Sequence, residues 1–187
     1  MWPTPIARSD LRTRRLVLEP TSDSHAEGLW AAVSASSEEL APWMGWAVEP
    51  QRQETFDFAV SASRSWGSSL FNFTIMFSDL IIGSVGLDHF DEGTISASLG
   101  YWLHTDYAGQ GFMTEAVAAV VEFAFSQLTL HRLWLHAGVS NIASIRVAEK
   151  AGFRREGRLR DSGRGAFGWH DVYVYGLLET DEQPRPA

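Results

Sequence analysis

The chain contains no cysteine. That excludes a disulfide framework, a thiolate nucleophile and a Cys-ligated zinc site, so any thiol chemistry must arrive with a cosubstrate. No stretch approaches the roughly 18 consecutive apolar residues of a membrane-spanning helix. The opening MWPTPIARSD also has no apolar signal core, so a cytoplasmic protein without a membrane partner is expected. Positive charge is in the minority: 15 Lys and Arg against 23 Asp and Glu give a net charge of −8, which argues against nucleic acid as a direct partner and favours a cationic ligand. The six histidines show no paired spacing such as HExxH, and no serine sits in a nucleophile elbow. No metal is assigned, and Ser-His-Asp hydrolysis is set aside.

What is present builds one core. With 187 residues, 45% of them apolar, the chain is long enough for a single sizeable core and short for two, so one domain is expected over residues 1–187 with loose tails at about 1–8 and 180–187. Leu11 to Pro20 (LRTRRLVLEP) reads as a first strand. Thr21 to Ser24 offer N-caps to a helix carrying Ala26, Leu29, Trp30 and Val33. A second helical region from about Ser36 is interrupted at Pro42, and a third runs from about Gln51 to Trp66. Then the period changes. Phe71–Phe77, Leu80–Leu87 and Thr94–Leu103 are short runs separated by turn residues, the pattern of an antiparallel meander. From Phe112 onward Met113, Ala116, Val117, Val120, Ala124 and Leu128 recur at helical spacing. Arg132–Ala137 is the next strand, Asn141 heads a short helix stopped by Gly152, and strands at about Phe153–Arg160 and Trp169–Leu178 follow. The expected fold class is α/β (α+β): a mixed, mostly antiparallel sheet of about seven strands with helices on both faces.

YAGQGFMTEA, residues Tyr107 to Ala116, places two glycines one residue apart at the start of a helix. A tight turn needs such residues because glycine adopts positive φ without a Cβ clash. The same geometry also lets a phosphate oxygen approach the unpaired N–H groups and positive dipole of a helix start. Between a strand and a helix, as here, both readings stand.

The run from Leu99 to Asp161, containing YAGQGFMTEA and NIASIRVAEKAGF, resembles the acetyl-CoA-binding half of the GNAT N-acetyltransferases, here about residues 94–161. Within that family it is similar to the RimJ/RimL branch, named for enzymes that acetylate the N-termini of ribosomal proteins. WMGWA near residue 43 and the ending WHDVYVYGLLETD extend the resemblance more weakly. The resemblance implies acetyl-CoA as cosubstrate, its pyrophosphate cradled by Gly109, Gln110, Gly111, Phe112, Met113 and Thr114. The family turn reads Gln or Arg, two residues, Gly, one residue, then Gly or Ala. Ala108 and Met113 depart from it at the first and last of these positions, which points to a weakened site or to a catalytically silent acyl-CoA-binding domain. It further implies that the backbone of Trp102 and Leu103 holds the pantetheine arm as an added strand. Asn141 would hydrogen-bond that arm, and Ser144 would face the sulfur. Asn141 equally suits a plain N-cap, and Ser144 a first-turn residue.

Acetyl transfer to an amine needs that amine neutral. At pH 7 this costs roughly 1 kcal/mol for an α-amine and roughly 4.6 kcal/mol for a lysine, so an α-amine needs little help. Candidates for a general base are Asp88 and His89, with Glu38 and Glu39 further off. Alternation along a strand would aim Asp88 and His89 at opposite faces, and both also suit a turn. Tyr101, Tyr173 and Tyr175 carry protons a leaving group could use, or serve as packing. Trp43 and Trp46 form an acceptor wall in the resembled branch, with core packing as the alternative. The acceptor is then a protein N-terminus or a small amine, with polyamines and antibiotic amines as the second reading. A homodimer is among the assemblies considered.

Overall fold

The computed structural model describes residues 6–182. The strands are β1 (Leu11–Arg12), β2 (Val17–Pro20), β3 (Phe71–Phe77), β4 (Leu80–Asp91), β5 (Ser96–Leu103), β6 (Arg132–Gly138), β7 (Arg154–Gly165) and β8 (Gly168–Leu178). The helices are α1 (Ala26–Ala35), α2 (Ser37–Leu40), α3 (Arg52–Ser65), α4 (Phe112–Ser126) and α5 (Ile142–Lys150). All eight strands join one sheet in the order β1-β2-β3-β4-β5-β6-β8-β7, antiparallel except where β5 meets β6. The eighth strand arises because Leu11–Pro20 is a hairpin. Leu11 pairs with Leu18 and Arg12 with Val17, and the Thr13 hydroxyl accepts from the Leu16 amide at 2.9 Å to close the turn.

The period-2 pattern gives the sheet two unlike faces. One face carries the cross-strand rows Phe71, Leu87, Leu99 and Phe73, Val85, Tyr101. Against this face α4 turns Met113, Ala116, Val117, Val120 and Ala124, all buried as their spacing predicts. Each large side chain sealed there contributes roughly 1.5–3 kcal/mol, which makes this the main core. The opposite face carries the rows Asn72, Gly86, Gly100 and Thr74, Ser84, Trp102. Apart from Trp102, these residues are small or polar. Over them lie α1 and α3, whose small buried cluster is Ala26, Leu29 and Ala59. With little apolar volume to fill the space, a cleft remains.

Three details depart from expectation. β4 runs on to Asp91, with a register shift between Asp88 and Asp91 and His89 in the left-handed region at φ 46°. Of the expected loose tails, residues 1–5 and 183–187 lie outside the described residues, while the described parts are anchored. Arg8 donates to the carbonyls of Ser63 (2.9 Å) and Thr21 (2.7 Å), and Asp181 pairs with Arg154 at 2.9 Å. Finally, β7 extends through Gly165, and its hairpin with β8 folds onto the loop after α2, where the Ala166 amide donates to the Ala41 carbonyl at 2.7 Å. Among the described residues no helix is long and apolar enough to cross a membrane.

Candidate active site

The glycine turn has the shape that a phosphate cradle requires. Gly109 and Gly111 take φ of 74° and 82°, and a Cβ added at Gly109 would meet nothing within 4 Å. Gly111 is the N-cap of α4 and supplies no side-chain cap, so the N–H groups of the first turn point outward without a side-chain acceptor. Phe112 and Met113 turn inward and are buried, so Met113 costs the turn nothing in width. A cation stands beside the turn that no local motif announces. Arg15, in the bend between β1 and β2, donates from Nη1 to the Gln110 carbonyl at 3.1 Å, and its guanidinium lies 4.2 Å from the centre of the Phe112 ring. Its Nε also donates to Glu115 at 2.7 Å, and Glu115 accepts from Thr13 at 2.6 Å. Burial pushes the Glu115 carboxyl upward, but these donors outweigh it and hold the group below the usual carboxylate range.

The sheet opens beside this turn. β5 and β6 pair only at Ser96–Arg132, Ala97–Leu133 and Ser98–Trp134, and then both strands continue unpaired with each other, to Leu103 and Gly138. A diverging parallel pair leaves backbone groups of the second half of β5, Trp102 and Leu103 included, facing a wedge that an extended chain fits. Asn141 heads α5 at the far side of the wedge and accepts from the Ser144 amide at 3.1 Å, so it caps this helix. The Tyr101 hydroxyl spans the wedge to Ser144, lying 2.9 Å from its hydroxyl and 3.2 Å from its carbonyl. Burial pushes the Tyr101 phenol up to about 12, with a smaller opposing effect from the Ser144 hydrogen bond, so the phenol keeps its proton throughout the neutral range.

The cleft on the small, polar face adjoins the wedge at Gly100, Tyr101 and Trp102 and has a volume of about 460 Å³. Its charged lining consists of Asp88 and Glu54, with no Lys, Arg or His. Trp46 forms part of the wall and meets Trp102 edge-on, with ring centroids 6.1 Å apart. Trp43 does not line it. That ring packs over Gly138 and stands T-shaped to His170 at 5.9 Å. Asp88 and His89 do not diverge as strand alternation would demand, because the bulge turns His89 back until its Nδ1 lies 2.7 Å from Asp88 Oδ1. Asp88 lines the cleft, whereas His89 is largely exposed and does not. Glu38 and Glu39 also lie outside the lining.

Sequence reasoning missed Arg15, Glu54 and Asn72. The first two carry no local signal, since their place comes from chain folding over long separations. Asn72 had one: in FNFTIMF it is the polar alternate between two phenylalanines, marking the unlike second face of the sheet.

A splayed parallel strand pair, an amide-lined turn at a helix start and an acidic cleft on one sheet face define the class of acyl-CoA-dependent acyltransferase folds. The acetyltransferase (GNAT) domain family matches residues 15–154, and the chain belongs to that family, as an N-acetyltransferase. "Probable N-acetyltransferase YjcK" of Bacillus subtilis is 40% identical over 106 residues, 56% of this chain and 59% of that protein. The ribosomal-protein-serine acetyltransferase of Escherichia coli is 24% identical over 168 residues, 87% of this chain and 92% of that protein. Among solved structures, the ribosomal L7/L12 α-N-protein acetyltransferase RimL in complex with coenzyme A superposes with a TM-score of 0.85 at 21% identity, covering 91% of this chain and 98% of that one. At that identity the superposition speaks for the fold.

Proposed function

We propose that the protein transfers the acetyl group of acetyl-CoA to the α-amine of a protein or peptide N-terminus. The observation that carries this reading is the junction of wedge and cleft at Gly100 and Tyr101, where the cleft side offers carboxylates and no cation. An extended pantetheine arm lying along Trp102 and Leu103, with its pyrophosphate on the amides of Gly109 to Thr114 near Arg15, ends at this junction. The amine enters from the cleft. Asp88, directly or through water, takes the proton that the amine must lose before its nitrogen attacks the thioester carbonyl carbon. The carbon–sulfur bond then breaks and the electron pair leaves on sulfur. A thiol titrates near 8.5, so this thiolate is a modest base, and a hydrogen bond from Ser144, backed by the protonated Tyr101, is enough to stabilise it. The nitrogen sheds its second proton as the amide forms, and this passes directly or through water to the thiolate, while the protonated carboxyl of Asp88 returns its proton to solvent. Asn141 holds Ser144 in place by capping its helix and stands at the arm's edge. His89 fixes the rotamer of Asp88 from outside.

A polyamine acceptor is the second reading, favoured by the pairing of Asp88 with Glu54 in one cleft. One experiment tests both. Thiol release from acetyl-CoA is followed against a panel of N-terminal peptides and polyamines, with kcat/KM measured from pH 6 to 10. For an α-amine the rate rises and levels near 8, whereas for a polyamine it keeps rising toward 10. Release of no thiol with any amine would defeat both readings and leave a silent acyl-CoA binder.

A further inference from the structure

Asn72 is a polar side chain only 9% exposed, on β3 at the floor of the cleft. Its amide oxygen is fully used. The Thr21 and Ser84 hydroxyls both donate to Oδ1 at 2.8 Å, Thr21 is joined to Thr74 at 2.9 Å, and the Thr21 amide donates to the Asn72 carbonyl at 2.8 Å. Its amide nitrogen is not used: among the described residues no acceptor faces Nδ2. Yet among the described residues no fully buried side-chain nitrogen or oxygen lacks a partner, so Nδ2 keeps access to the cleft. The place it faces has been left bare. Gly86 lies directly across the β3–β4 ladder, and a Cβ there would stand 2.5 Å from Nδ2. Gly100 follows on β5, where an added Cβ would meet nothing within 4 Å. The fold thus spends three hydroxyl groups and two glycines on presenting one N–H donor, with its orientation set, to whatever enters.

We propose that Asn72 donates to the first carbonyl oxygen of a peptide acceptor, making the cleft selective for an α-amine followed by a peptide bond over a bare alkylamine. This rests on the acetyl-transfer reading above and names its substrate class. The chemistry fits because an ammonium group offers Nδ2 no acceptor and the single lone pair of the neutral amine is committed to attack on the thioester, while a carbonyl oxygen is free to accept. Spacing fits as well. Asp88 follows Gly86 by two residues on the same face, on the order of 7 Å along the strand, so one carboxylate and one donor can hold the amine and the carbonyl of a single N-terminal residue. A polyamine has no group for Asn72, and its entry would leave the buried donor unpaired.

The test compares an alanine-first tripeptide with sec-butylamine, with kcat/KM expressed per free base so that the different amine pKa values cancel. Wild type should prefer the peptide by at least about tenfold. Asn72→Asp keeps the oxygen that Thr21 and Ser84 address and replaces the donor by an acceptor. It should cut the peptide-to-alkylamine ratio on the order of tenfold or more, and any general attraction of the new carboxyl for ammonium cancels in that ratio. Ser84→Ala frees the amide to rotate while leaving Asn72 itself, and should lower the ratio about threefold. It serves as the working variant if Asn72→Asp does not fold. A ratio unchanged by the variants, or equal losses on both acceptors, would overturn the role of Asn72. Wild type acetylating both amines equally well overturns the inference and leaves acetyl transfer standing. Failure of wild type to release thiol with either amine overturns the acetyl-transfer reading and the inference with it.

Discussion

Arg15 places a positive charge where Ala108 leaves none, and its side chain is 34% exposed, tied to the Gln110 carbonyl and to Glu115. Charge near a pyrophosphate contributes on the order of 1 kcal/mol at a partly exposed site, so Arg15→Gln should weaken coenzyme A binding about fivefold in calorimetry. Unchanged affinity would make Arg15 a clamp for the β1–β2 hairpin alone. The two tryptophans separate in the same way. Trp46→Ala should raise the acceptor KM several-fold with little change in melting temperature, because the ring is 47% exposed in the cleft wall. Trp43→Ala should instead cost about 2 kcal/mol of stability through the lost packing on Gly138 and His170. Both were legible as aromatic residues in a proline-bounded loop. Their separation was not, because a three-residue step in a loop that ends in a short 3₁₀ turn has no fixed angular meaning.

At the scale of elements, the β1–β2 hairpin is joined to α4 chiefly through Glu115. Its pKa in the folded protein is depressed by Thr13 and Arg15 despite the opposing effect of burial, so its stabilisation is full above the unfolded carboxyl pKa, about 4.3, and is lost as pH falls through the lower folded value. Glu115→Gln should therefore lower stability by about 1–3 kcal/mol at pH 7 and by much less near pH 3, as read from urea denaturation at the two pH values. Equal losses at both would mean the carboxylate charge is not what holds the hairpin. The wedge makes its own prediction. Tyr101→Phe removes the hydroxyl that positions Ser144, and should lower kcat about tenfold while leaving acetyl-CoA affinity within about twofold. Helix α4 and the meander were legible because their periods are strong. The hairpin was not, since LRTRRLVLEP has no glycine, carries its one proline at the far end of the second strand rather than at the turn, and relies on the Thr13 hydroxyl instead.

For the whole molecule, the net charge of −8 surrounds a cleft that holds only acidic charges. A cationic acceptor is then drawn by the field as well as by Asp88, and screening removes the long-range part first. Raising salt from about 0.05 to 0.5 M should increase the KM of a singly charged peptide two- to threefold with kcat unchanged, and that of a polyamine by considerably more. A KM indifferent to salt would confine the electrostatics to the cleft. By itself the sequence determined the alternation of helix and strand, the glycine turn, the cap at Asn141 and the lack of a cysteine nucleophile, because each depends on residue types and on the order of neighbouring residues. Only the tertiary structure decided the rest. Where β5 and β6 stop pairing, which of Asp88 and His89 faces the cleft, and that Arg15 reaches Gln110 and Thr21 reaches Asn72 all depend on contacts between segments distant in the chain, and no local period encodes which distant segments meet.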